Sequence, residues 1–119
     1  TGLWVFGNIS LPYGFPTNGG YGEAVGSYII NYADGTVQKV PLRNGYEITT
    51  ALTIYGPSRI IPVAANTKNV LNFHYDKDSE AYIISALKIM TDNKEIKSIT
   101  LSVDNKKYAV LLYGITAIL

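Results

Sequence analysis

Gly26-Ser27-Tyr28-Ile29-Ile30-Asn31-Tyr32-Ala33-Asp34-Gly35-Thr36-Val37-Gln38-Lys39-Val40-Pro41-Leu42-Arg43-Asn44-Gly45 is the stretch that decides the fold. Two runs rich in β-branched and aromatic residues flank Asp34-Gly35. Glycine supplies the positive φ that a tight turn demands. The segment therefore reads as a β-hairpin from Val25 to Leu42. A two-residue loop would set Tyr32 opposite Val37, Ile30 opposite Lys39 and Ile29 opposite Val40. Asn44-Gly45 is a second turn signal, just past the hairpin.

Short strands separated by turn signals continue on both sides. Leu3-Trp4-Val5-Phe6 is an apolar strand so near the start of the chain that its partner is expected upstream of Thr1. Asn8 to Glu23, rich in Gly, Pro, Asn and Tyr, reads as a long surface loop, and such loops are commonly functional. Tyr46 to Tyr55 has β-branched character and is broken by Gly56-Pro57-Ser58. Arg59 to Ala64 is a short strand with Pro62 marking an edge or bulge. Asn66 to Asn69 reads as a turn, Val70 to Tyr75 as a strand, and Asp76 to Ser79 as a polar turn. Ala81 to Met90 is long enough for a helix, but Tyr82, Ile83, Ile84 and Ile89 favour a strand. Thr91 to Lys94 turns.

Ile99, Leu101 and Val103 then alternate with Ser98, Thr100 and Ser102. That period of two assigns the first set to the core and the second to water. Tyr108 to Leu119 is an almost unbroken apolar run, the pattern of a strand covered on both faces near the centre of a sheet. With no convincing helix and no internal repeat, the pattern specifies an all-β antiparallel sandwich in one domain, residues 1–119.

Composition narrows the function classes. The 119 residues carry a formal net charge of +1, so no electrostatic field argues for nucleic acid or an anionic membrane. No apolar run reaches the ~18 residues needed to span a bilayer as a helix. The absence of cysteine excludes disulfides, thiolate zinc sites and a cysteine nucleophile. The chain begins at Thr1 with neither methionine nor a leader peptide, as expected of a piece of a longer protein.

No catalytic constellation emerges. The single histidine, His74, lies within a strand and has no partners for a triad or zinc site. Asp76, Asp78 and Glu80 alternate as calcium ligands do, but the glycine and terminal glutamate of an EF-hand loop are missing. They read as a solvated turn, with structural calcium as the lesser alternative. Most of the acids occupy turns, where turn chemistry accounts for them. Gly-x-Ser-x-Gly is absent, and Gly19-Gly20-Tyr21-Gly22 lacks the Lys-Ser/Thr of a phosphate loop. No enzyme activity and no cofactor are expected.

The ten tyrosines suit half-buried strand surfaces. Tyr13, Phe15 and Tyr21 share the first long loop with Asn18 and several glycines, and Arg43 and Tyr46 follow the hairpin. Rings beside hydrogen-bonding groups are the parts of a sugar site. The same loop rings can instead fold back over the core. Tyr13, Phe15, Tyr21, Arg43 and Tyr46 are the candidate ligand-binding residues.

The pattern Tyr28-x-x-x-Tyr32-Ala33-Asp34-Gly35-Thr36, returning through Val40-Pro41-Leu42-Arg43-x-Gly45, resembles galactose-binding-like jelly-roll domains. These are accessory β-sandwich modules of large bacterial extracellular proteins, often glycoside hydrolases. Lys94-Glu95-Ile96-Lys97-Ser98-Ile99 and Leu111-Leu112-Tyr113-Gly114-Ile115-Thr116 are similar to late strands of that group. Asn44 stands where the group has tyrosine, and its tryptophan-bearing loop is missing. The resemblance implies a jelly roll and a secreted, non-catalytic, carbohydrate-binding module. Its expected partners are a glycan and either a neighbouring catalytic domain or a second copy. A purely structural sandwich that packs on such a domain is the alternative.

Overall fold

The computed structural model describes residues 1–10, 21–53, 64–74 and 81–119. Every regular element among them is a β-strand: β1 (Gly2–Ser10), β2 (Ala24–Tyr32), β3 (Val37–Arg43), β4 (Leu52–Thr53), β5 (Thr67–His74), β6 (Ala81–Met90), β7 (Ile96–Val103) and β8 (Ala109–Ile118). They form two antiparallel sheets packed face to face, a β-sandwich. One sheet has the order β3-β2-β7. In the other, β6 is flanked by β5 on one side. Its other side takes β1 along Ser85–Met90 and β4 at Ala81–Tyr82. β8 completes that sheet beyond β1.

The core lies between the sheets. Leu3, Val5 and Ile9 of β1 and Leu87 and Ile89 of β6 meet Val25, Tyr28, Ile30 and Tyr32 of β2 and Leu42 of β3. Ile99 and Leu101 are half-buried against this cluster, on the face that their alternation assigns them. On the opposite face Asn31 Nδ2 donates to both Ser98 Oγ and Thr100 Oγ1 at 3.1 Å. Val103, also expected in the core, is 46% exposed, because its ladder partner is Gly26, which has no side chain to cover it.

The hairpin forms where expected, but one residue out of the expected register. Asn31 faces Val37, Ile30 faces Gln38 and Ile29 faces Lys39. The loop has three residues, not two. Gly35 N donates to Tyr32 O at 3.0 Å, Tyr32 N donates to Thr36 O at 2.9 Å, and Gly35 holds φ at 88°. Asp34 sets this geometry by accepting from Thr36 N at 2.9 Å and Thr36 Oγ1 at 2.6 Å. A turn followed by a left-handed glycine is the usual three-residue solution. The shift sends Val40 inward with Tyr28 and turns Lys39 to solvent.

This end of the hairpin is latched to the β6–β7 connection. The Tyr32 hydroxyl donates to Gln38 Oε1 at 2.6 Å and accepts from Asp92 N at 3.0 Å. Gln38 Nε2 donates to Met90 O at 2.9 Å. Lys94 Nζ sits 3.1 Å from Asp34, and Ala33 N donates to Glu95 O at 2.9 Å.

Further expectations are corrected. β1 needs no upstream partner, since β6 and β8 of the same chain flank it. The loop from Asn8 starts later, because Asn8, Ile9 and Ser10 continue β1. Asn8 Nδ2 and Ile9 N both donate to Thr49 O, at 3.1 and 3.0 Å. Of Tyr46 to Tyr55, Leu52–Thr53 alone pairs as a strand among the described residues, which end here at Thr53. The turn at Asn66–Asn69 is confined to 65–66, and Thr67 to Asn69 already pair with β6. β8, read as a central strand, lies at an edge. Among the described residues it pairs only with β1, and Leu111, Leu112, Tyr113 and Ile115 are 42%, 41%, 50% and 38% exposed. Asp76, Asp78, Glu80, and residues 59–63 of the strand expected from Arg59 to Ala64, lie outside the described residues, and Ala64 itself is not in a strand.

Candidate functional site

A hairpin brings its two flanks together, and here the flanks carry the candidate residues. Ala24 pairs with Arg43 across the ladder. Beyond that pair Gly22 N donates to Asn44 O at 2.7 Å, and Asn44 N donates to Glu23 O at 3.0 Å. Gly22 and Gly45 both hold positive φ, 82° and 86°. The chain thereby folds tightly enough for Tyr21 to lie directly over Gly45. A Cβ at Gly45 would stand 2.3 Å from Tyr21 Cε2.

Tyr21, Arg43 and Tyr46 meet as a result. The Tyr21 and Tyr46 rings are 5.3 Å apart at 47°. The Arg43 guanidinium stacks 4.4 Å from the centre of the Tyr46 ring, a favourable cation–π separation. Glu47 clamps Arg43 in this position. Arg43 Nε donates to Glu47 Oε2 at 3.1 Å and Nη2 to Oε1 at 2.6 Å, a bidentate pair. Asn66 Nδ2 adds a bond to Glu47 Oε1 at 3.2 Å. Burial pushes the Glu47 carboxyl up, but the Arg43 hydrogen bonds and charge outweigh it and hold it below the usual carboxylate range. The Glu47 hydrogen bonds raise Arg43 in turn.

The surface so built has one exposed ring, Tyr21, at 63%. A half-buried second ring and the edge of a fixed guanidinium lie beside it. One face of Tyr46 is taken by Arg43, which leaves Tyr21 as the ring open to stacking. The charge of Arg43 is balanced locally by Glu47. Tyr13 and Phe15 lie outside the described residues, in the segment that leads into Tyr21. Glu47 and Asn66 were not among the sequence candidates. The Arg43–Glu47 spacing of four was visible, but outside a helix that spacing predicts no contact.

A second surface feature escaped the sequence reading. A shallow apolar groove of about 240 Å³ lies on the outer face of the β1-containing sheet, lined by Phe6, Val70, Leu71, Ile84, Tyr113 and Gly114. Next to Phe6 on that face is half-buried Trp4, with Lys68 Nζ 6.0 Å from its ring. Among the described residues no three His, Asp or Glu side chains gather as metal ligands would. No family model, curated protein or solved structure matches the chain.

Proposed function

We propose that this domain is a non-catalytic carbohydrate-binding module of jelly-roll type, an accessory part of a secreted polysaccharide-active protein. The observation that carries the reading is the convergence of Tyr21, Arg43 and Tyr46 at one end of the hairpin. An exposed ring offers its face to pyranose C–H groups. Arg43 and Asn66 supply fixed donors for hydroxyls; Tyr13 and Phe15, the other proposed ring residues, lie outside the described residues. The Arg43 charge is already neutralised by Glu47, so the surface suits neutral sugars better than uronic acids. Few rings and water-competed hydrogen bonds give modest affinity, roughly micromolar to millimolar.

Calorimetry and a glycan array with this chain test the reading. Binding to a neutral glycan is expected, weakened tenfold or more by Tyr21→Ala and less by Tyr13→Ala. Binding untouched by Tyr21→Ala would move the site elsewhere. No binding across plant, algal and host glycans would overturn the function. It would leave the structural alternative, a sandwich that packs on a partner, which the exposed apolar side chains of β8 favour.

A further inference from the structure

We propose that β8 is a self-association edge, pairing antiparallel with β8 of a second copy to join two sheets into one. The argument starts from how the sheets end. β3 carries Lys39, Pro41 and Arg43; β7 carries Lys97 and three hydroxyl residues; β5 carries Lys68 and a register break near Val70. Charge, proline and bulges are how proteins blunt a sheet edge. β8 has neither charge nor proline from Tyr108 to Leu119, and its one irregularity is the shift opposite Phe6/Gly7.

Both faces of β8 are also short of cover. Leu112 and Ile115 pair with Gly7 and Val5, on the core-facing side, yet remain 41% and 38% exposed. The β3-β2-β7 sheet does not reach over them. On the other side Leu111 and Tyr113 are 42% and 50% exposed. A partner strand that suits this edge must be uncharged and apolar on both faces. Among the described edge strands longer than the two-residue β4, β8 alone meets that description, so it is its own complement.

Charge also selects the direction. Lys106 and Lys107 stand just before β8. Parallel pairing would set the lysines of both copies side by side. Antiparallel pairing separates them by the strand length, ~34 Å for ten residues, and closes under a two-fold axis. The interface is small, so dissociation is expected on the order of 10–100 µM.

Sedimentation equilibrium from micromolar to millimolar protein reads the association. A reversible monomer–dimer equilibrium is expected, weakened at least tenfold by Thr116→Lys and by Ile115→Lys and unchanged by Val37→Lys on β3. Thr116 is exposed, so its variant retains the fold, checked by near-ultraviolet circular dichroism. Because the chain lacks cysteine, single cysteines placed along 110–118 report the geometry. Antiparallel pairing gives disulfide-linked dimers at one central position and none at the strand ends. A monomer at every concentration overturns the proposal. So does a dimer indifferent to both lysines, or cross-linking of equal yield along the whole strand, which signals parallel pairing.

Discussion

β3 and β8 both end a sheet, and they end it in opposite ways. β3 alternates: Val40 and Leu42 turn inward while Lys39, Pro41 and Arg43 turn out. Its neighbour β2 is covered on its inner face by the other sheet, and Tyr28, Ile30 and Tyr32 are buried. β8 has no such division, and apolar residues stand exposed on both sides of it. An apolar side chain stabilises a fold only when something covers it. The same residue types thus hold the hairpin sheet together and leave β8 open to partners.

The sharpest test of this contrast substitutes one residue type in both places. Ile30→Ala, at a fully buried position, is expected to cost about 2–5 kcal/mol. Ile115→Ala is expected to cost under ~1 kcal/mol. Urea unfolding at concentrations below the association range measures both, and equal losses would mean that β8 is covered after all.

Glycines give the next contrast. A Cβ at Gly26 would stand 2.1 Å from Ser102 O, a backbone atom, whereas at Gly114 the nearest group is Phe6 Cδ2 at 4.0 Å. Gly26→Ala is expected to lose ~1–3 kcal/mol because β2 and β7 must separate, and Gly114→Ala to stay within ~0.5 kcal/mol. A thermal melt of Gly26→Ala matching the parent would break the packing described for β2 against β7.

The smallest effect belongs to the hairpin turn. Hydrogen bonds from Thr36, joined by Lys94, hold the Asp34 carboxyl down at about 2, below its unfolded value near ~3.9. A depressed carboxylate contributes stability above the unfolded value and loses it as pH falls through the folded one. The stability gap between the parent and Asp34→Ala should therefore be full above pH ~4 and shrink toward pH 2. A gap that stays constant over that range would show that the Asp34 charge does not hold the loop.

The sequence made some of this legible for definite reasons. Ser98 to Leu101 alternate, and alternation names two faces, so Ile99 and Leu101 fall where they were read. Asp34-Gly35 located the turn, but the loop length depends on which bonds the Asp34 side chain makes, and those hold only in the folded geometry. Tyr21, Arg43 and Tyr46 were legible as rings and a guanidinium in loop-like stretches on either side of the hairpin; that the hairpin's flanks bring them together came from the structure. The groove beside Phe6 was not. Leu3-Trp4-Val5-Phe6 announces burial without saying which face the second sheet covers. β8 misled for a related reason, since an apolar run reports what a strand can bury rather than what lies beside it.

The latch at the far end of the hairpin carries one more consequence. Asp92 has its backbone N–H bonded to a phenol, not to a neighbouring strand, and that phenol belongs to the opposite sheet. Its deuterium uptake therefore keeps time for a single event, the parting of the hairpin from the link between the layers. Amides inside a ladder report the unzipping of their own strands instead. The Asp92 amide proton thus acts as a clock for that latch, readable without any label.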